Sequence, residues 1–129
     1  MANILIVEDH LIEIRKLKFE LEKIGYNLKL VGDGGKTIEL IKKHKFDAII
    51  LDFLLPKLTG KEILEIIMKD KKLSKIPIFF YTAHRVSTIL KNEFKLNGAV
   101  GIWQKQKDMD ELINKIKEIC PPEYSLSLE

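Results

Sequence analysis

Ala48-Ile49-Ile50-Leu51-Asp52-Phe53-Leu54-Leu55-Pro56 sets four consecutive apolar residues before an aspartate, with a proline four positions beyond it. An unbroken apolar run of that length predicts a β-strand covered on both faces, and the aspartate marks where the chain leaves the sheet. Working outward, the same unit recurs. Ile4 to Val7 is another such run and ends in Glu8-Asp9. Ile76 to Tyr81 ends at Thr82, with Pro77 tolerable only near its start, and Val100 to Gln104 ends at Lys105. Leu28, Leu30 and Val31 predict a further strand, weakened by alternation with Lys29.

Helical stripes fill the intervals. Leu11, Ile14, Leu17, Leu21 and Ile24 recur at spacings of three and four, and Gly25 is placed to close that helix. After an Asp33-Gly34-Gly35 turn, Ile38 and Ile41 support a short helix as far as His44. Ile63, Leu64, Ile67 and Met68 mark a third, and Val86, Ile89, Leu90 and Phe94 a fourth that ends near Asn97-Gly98. Met109, Leu112, Ile113, Ile116, Ile119 and Cys120 form the cleanest stripe, stopped by Pro121-Pro122. Five strands alternating with five helices predict an α/β fold, a doubly wound, mostly parallel sheet with helices on both faces. Residues 1–122 read as one domain. The tail 123–129 carries no pattern, and Leu128-Glu129 resembles a cloning remnant.

Composition excludes several classes. The 129 residues, 46% apolar and 32% charged, suit a single domain with a real core and argue against disorder. The lone cysteine, Cys120, rules out a disulfide within the chain or a multi-cysteine metal site, and reads as a buried small hydrophobe. No run approaches the ~18 apolar residues of a membrane span. Met1 to Val7 has no basic leader, so no signal peptide and a cytoplasmic location are expected. The net charge of +3 is modest and its lysines are spread along helices, which fits solvated faces better than nucleic-acid binding.

The chemistry gathers at the strand ends. Glu8, Asp9, Asp52, Thr82 and Lys105 all follow apolar runs, and ligands of open α/β sheets bind beyond the carboxyl ends of the strands. Acidic residues often flank strands and cap helices without further role, but that explanation must hold at four strand ends at once. Three carboxylates in one cleft repel each other unless a cation joins them. Lys105 leaves two negative charges in excess, which one divalent ion would neutralise, and oxygen-only ligands suit Mg²⁺. A carboxylate beside Mg²⁺, a lysine and a hydroxyl is equipment for phosphoryl transfer, with the carboxylate as nucleophile.

In this order and spacing, Glu8-Asp9, Asp52 in Leu51-Asp52-Phe53-Leu54-Leu55-Pro56, Thr59-Gly60, Thr82-Ala83 and Gly98-Ala99 ahead of Lys105 carry a resemblance. Over nearly its whole length the chain resembles the receiver domain of two-component response regulators. The resemblance implies a flavodoxin-like sheet with strand order 2-1-3-4-5. It implies that Asp52 accepts a phosphoryl group from a histidine kinase or histidine phosphotransfer protein. It implies also that Glu8, Asp9, Asp52 and the backbone carbonyl of Leu54 hold Mg²⁺ together with waters. Thr82 and Lys105 would contact the phosphoryl oxygens, and Thr82 would move inward to switch a face that binds a downstream protein. The chain would then be a signalling domain rather than an enzyme, catalysing only its own phosphorylation and dephosphorylation.

Two positions depart from the family pattern. Gln106 stands where proline usually follows the lysine, and Ile102 stands where an aromatic residue usually acts as a switch. A cis bond costs ~2.5–4 kcal/mol before a non-proline residue, against ~0.5–1 kcal/mol before proline. The Lys105–Gln106 bond is therefore predicted to be trans, with Lys105 still drawn to the acidic cleft and the output surface altered. Trp103, alternating with Ile102, is expected to face the other way and to pack in the core. His10, His44 and His84 share no metal-ligand spacing; His84, two residues after Thr82, and His10 are placed to tune access to Asp52.

Two other functional classes fit less well. A Mg²⁺-dependent phosphohydrolase with an aspartyl nucleophile usually carries a second acid where Leu54 stands. A flavodoxin-like electron carrier needs a hydroxyl-rich phosphate loop where Glu8-Asp9 would repel phosphate.

Overall fold

Residues 2–55 and 57–122 are described by the computed structural model, so Pro56 and the tail 123–129 of the sequence reading lie outside the described residues. Strands β1 (Asn3–Val7), β2 (Asn27–Val31), β3 (Ala48–Leu51), β4 (Ile78–Thr82) and β5 (Gly101–Gln104) form one sheet in the order β2-β1-β3-β4-β5. Every pairing is parallel. This is the predicted order, with crossover helices α1 (Arg15–Ile24), α2 (Gly34–Lys43), α3 (Gly60–Met68), α4 (Thr88–Leu96) and, after β5, α5 (Met109–Ile119).

The apolar strand residues sort by parity into two cores. Ile4, Ile6, Ile50, Phe79, Tyr81 and Trp103 pack against Leu17 and Leu21 of α1 and Leu112 and Ile116 of α5. Leu5, Val7, Ile49, Leu51, Phe80 and Ile102 pack on the other side against Ile41 of α2, Ile63 and Ile67 of α3 and Phe94 of α4. Successive strand side chains point to opposite faces, so Ile102 and Trp103 do face opposite ways, both buried. The central strands are buried on both faces, which is why their sequences are continuous apolar runs.

Several boundaries differ from the sequence reading, each for a local reason. Asp33-Gly34-Gly35 is no turn: Asp33 is the N-cap of α2 and its carboxylate accepts from Gly35 N–H at 2.7 Å. Gly34 is needed inside the first turn because a Cβ there would lie 2.5 Å from the Leu58 carbonyl oxygen. Leu11 does not join the α1 stripe; it sits in a 3-10 turn, Leu11–Ile14, and is exposed. α4 begins two residues later than expected, capped by the Ser87 hydroxyl, and its Ile89 faces outward. Ile119 is also partly exposed, whereas Cys120 is buried as expected. β4 runs through Thr82 and starts after Pro77, which lacks the N–H a ladder needs. No helix among the described residues is long and apolar enough to cross a membrane.

Candidate functional site

The sheet's hydrogen bonding continues one residue past its strands and so fixes the polar residues in place. Glu8 N–H donates to the Val31 carbonyl at 2.9 Å, Asp52 N–H to Val7 at 3.1 Å, and Lys105 N–H to Thr82 at 2.7 Å. β1, β3 and β5 thus deliver Glu8, Asp52 and Lys105 to one edge as extensions of the ladder, and β4 brings Thr82 there as its own last residue. Gly60 closes the wall beneath Asp52. Its N–H donates to the Phe53 carbonyl at 3.0 Å, and a Cβ at this position would stand 2.3 Å from the Asp52 carbonyl oxygen. Thr59 and Glu62 form a reciprocal capping box at the start of α3, which secures that approach.

The charged groups are buried almost as deeply as the core. Relative exposures are 2% for Glu8, 8% for Asp52, 0% for Thr82 and 5% for Lys105, while Asp9 is exposed at the rim. One carboxylate oxygen from each of Glu8, Asp9 and Asp52 lies within 4.8 Å of the other two. This set of hard oxygen donors can hold a metal ion, which would relieve the crowding of like charge. Asp52 accepts from Phe53 N–H at 2.7 Å, and Glu8 from His10 N–H at 3.1 Å.

Lys105 is the cation of the cleft. Its Nζ hydrogen-bonds to Glu8 Oε1 and to Glu13 Oε1, the latter at 2.8 Å, and stands 3.8 Å from Asp52 Oδ2. Burial pushes the Glu8 carboxyl up to about 7, and it raises Asp52 as well, against the pull of Lys105. For Lys105 burial works downward, but the bonds to Glu13 and Glu8 more than offset it and hold the ammonium above its ordinary value. Glu13 is held below the usual carboxylate range by its hydrogen bond to Lys105.

Most of the sequence-predicted residues therefore meet. Thr82 is fully buried at the same edge, its hydroxyl accepting from His84 N–H at 3.2 Å. His84 is exposed, its ring set edge-on to Phe53 at 6.1 Å, and Leu54 is also exposed in the bend after Asp52. His10 lies beside Asp9 at 3.8 Å, and His44 caps the far end of α2, away from the cleft. The Lys105–Gln106 bond is trans, as predicted, and Gln106 takes a left-handed φ of 69° to turn the chain toward α5. Glu13 was not predicted. The sequence offers one signal for it, a further acid one turn beyond Glu8-Asp9, but the helical stripe assigns that position to solvent.

Comparison with known proteins agrees with this geometry. The chain is 32% identical over 119 residues to protein PilH of Pseudomonas aeruginosa, covering 92% of this chain and 98% of that one. It is 32% identical over 117 residues to the probable transcriptional regulator ycf29 of Porphyra purpurea, covering 91% of this chain but 56% of the relative. It thus spans about half the length of some curated relatives and nearly all of another. The receiver domain of sensor histidine kinase PA1611 from Pseudomonas aeruginosa, solved with a magnesium ion in its active-site cleft, superposes with a TM-score of 0.78 at 25% identity. That superposition covers 92% of this chain and 96% of the other. The response regulator receiver domain profile matches residues 4–117. With that match spanning almost every described residue, the chain belongs to the response regulator receiver domain family, the signalling domains of two-component systems.

Proposed function

We propose that Asp52 is the phosphoacceptor of this domain and that Glu8, Asp9, Asp52 and the Leu54 carbonyl hold Mg²⁺ during the transfer. The observation that carries this reading is the setting of Asp52: a nearly buried carboxylate, 3.8 Å from a lysine ammonium, inside a trio of carboxylates. Mg²⁺, when bound, supplies positive charge to the transferring oxygens. Asp52 attacks phosphorus, the bond from phosphorus to the donor atom breaks, and the donor departs with that electron pair. With acetyl phosphate the products are the aspartyl phosphate and acetate, with no net proton change. Lys105 and the Thr82 hydroxyl take up charge on the phosphoryl oxygens, which is the step that pre-set donors accelerate. The Asp52–Lys105 separation of 3.8 Å suits this, since an oxygen of a phosphoryl group on Asp52 falls within hydrogen-bond reach of the ammonium.

The natural donor on this reading is a histidine kinase or a histidine phosphotransfer protein, in the cytoplasm, and the output is a protein-binding face controlled by Thr82. The chain acts on no substrate beyond its own phosphorylation and dephosphorylation, and the receiver unit comprises residues 1–122. Acetyl phosphate with Mg²⁺ should raise the intact mass by one phosphoryl group, and Asp52→Asn should abolish the gain. Equal labelling of the Asp52→Asn protein would assign the acceptor elsewhere.

A further inference from the structure

On the reading above, Lys105 is the cation that meets the phosphoryl group, and its place depends on what surrounds it. Its main chain is followed by a trans bond and a left-handed Gln106, so the backbone leaves the cleft immediately. On the flank facing Ala83 the space between Glu13, Gln104 and Gln106 is a cavity of about 100 Å³, so side-chain packing does not fix the ammonium there. What does fix it is a pair of carboxylates from two places in the chain, Glu8 at the end of β1 and Glu13 in the 3-10 turn. Only the first of these belongs to the acidic trio.

We propose that Glu13 is a positioning residue for phosphoryl transfer, holding the Lys105 ammonium over Asp52 when Glu8 is engaged elsewhere. The inference rests on Asp52 being the phosphoacceptor. Glu8 Oε1 already accepts from Lys105 and its Oε2 from His10 N–H, so a cation drawn to Glu8 competes with Lys105 for the same lone pairs and loosens that bond. Glu13 lies outside the trio, bonds Lys105 at 2.8 Å, and is 41% exposed, so its charge is not part of the crowded interior. Its turn is anchored by Glu13 N–H donating to the His10 carbonyl at 3.0 Å, two residues from Glu8. The ammonium need not leave Glu13 to act: from its present place a phosphoryl oxygen on Asp52 comes within reach. Glu13 therefore touches neither the reacting atoms nor the metal, and its effect passes through Lys105.

The test compares Glu13→Gln and Glu13→Ala with the unaltered chain, by acetyl phosphate kinetics, Mg²⁺ titration and lysine-selective ¹H–¹⁵N spectra. An ion pair at this distance with one partner open to solvent predicts phosphorylation slowed about three- to fivefold in Glu13→Gln, and at least as much in Glu13→Ala. Mg²⁺ affinity should stay within about twofold, and the Lys105 ammonium resonance should broaden or vanish through faster exchange while the backbone amide spectrum is kept. A rate equal to or above that of the unaltered chain would overturn the proposal, as would slowing that simply tracks a loss of Mg²⁺ affinity. If the unaltered chain takes no phosphoryl group, it is the assignment of Asp52 that falls. The ammonium resonance then still decides whether Glu13 holds Lys105.

Discussion

The two ends of the sheet solve the same problem in opposite ways. At the amino end, polar groups are satisfied locally: Asp47 accepts from Asn3 N–H at 2.8 Å, Asn27 donates to the Asn3 side chain at 2.7 Å, and the Tyr26 hydroxyl donates to the Cys120 carbonyl at 2.6 Å. At the carboxyl end, Val7 and Leu51 are followed directly by carboxylates nearly as buried as they are. Those carboxylates face one another and a single shared ammonium. Polar residues at the first end finish the fold. At the second they are kept in a costly arrangement whose use lies outside folding, because buried like charges destabilise unless a cation joins them.

The largest expected effect comes from removing the shared cation. Lys105→Met leaves Glu8 and Asp52 buried with no positive partner at hydrogen-bond range among the described residues, and breaking a buried pair on one side costs roughly 3–5 kcal/mol. The loss should be greatest near pH 8 and smaller near pH 5.5, where Glu8 takes up a proton instead. Asp47→Asn at the amino end keeps an acceptor for Asn3 N–H and should cost less than about 1 kcal/mol, with little pH dependence. Urea unfolding of both variants at the two pH values measures this; equal losses would erase the distinction between the ends.

The pH dependence of the unaltered chain comes next. Burial raises Glu8 from 4.5 in the open chain to about 7, so between those values the folded protein binds a proton that the unfolded chain has released. Stability without metal should therefore rise as the pH falls from about 7 to about 4.5, by on the order of 2–3 kcal/mol, with Asp52 acting in the same direction. Asp33, Glu62 and Asp70 are held low by backbone N–H groups. Their stabilisation is lost only below the ordinary carboxylate range, so they do not cancel the trend. Saturating Mg²⁺ favours the ionised carboxylates and should flatten or invert the slope. In Glu8→Gln/Asp9→Asn the Mg²⁺ response should disappear and the slope should shrink to what Asp52 contributes. Thermal unfolding across this range, with and without Mg²⁺, checks all of it, and stability falling steadily with acid in the metal-free protein would count against a crowded cleft.

How much of this the chain discloses in advance depends on the period of the pattern. The four apolar runs and their polar ends were legible because a strand buried on both faces leaves a contiguous signal, and the ends of those strands are where the site lies. The short 3-10 turn Leu11–Ile14 was not legible, since three residues per turn rotate side chains away from the positions an α-helical stripe assigns. That one misreading placed Leu11 in the core and hid Glu13 among solvated residues. The Asp33-Gly34-Gly35 segment misled for a different reason: two glycines look like a turn, and the close Leu58 carbonyl that demands one of them becomes visible only in three dimensions. The reach of Lys105 into the acidic cleft was expected from charge, but the identity of its second partner depends on the path of the turn rather than on spacing in the sequence.

A smaller effect than either of those at the cleft probes the amino end alone. The Tyr26–Cys120 hydrogen bond joins the start of β2 to the residue that ends α5, 94 positions apart, within the core on the α1–α5 side of the sheet. Tyr26→Phe removes the donor and keeps the ring, so packing is retained and the loss should be about 1 kcal/mol, typical of one neutral hydrogen bond. Because no ionisable group of the cleft takes part, that loss should be the same at pH 8 and pH 5.5, and with or without Mg²⁺. Its phosphorylation rate with acetyl phosphate should match the unaltered chain. A Tyr26→Phe protein whose stability shifts with Mg²⁺ would mean that the two ends of the sheet are energetically coupled through α5. The carboxyl-end carboxylates would then be felt across the whole length of the strands rather than confined to the edge where they lie.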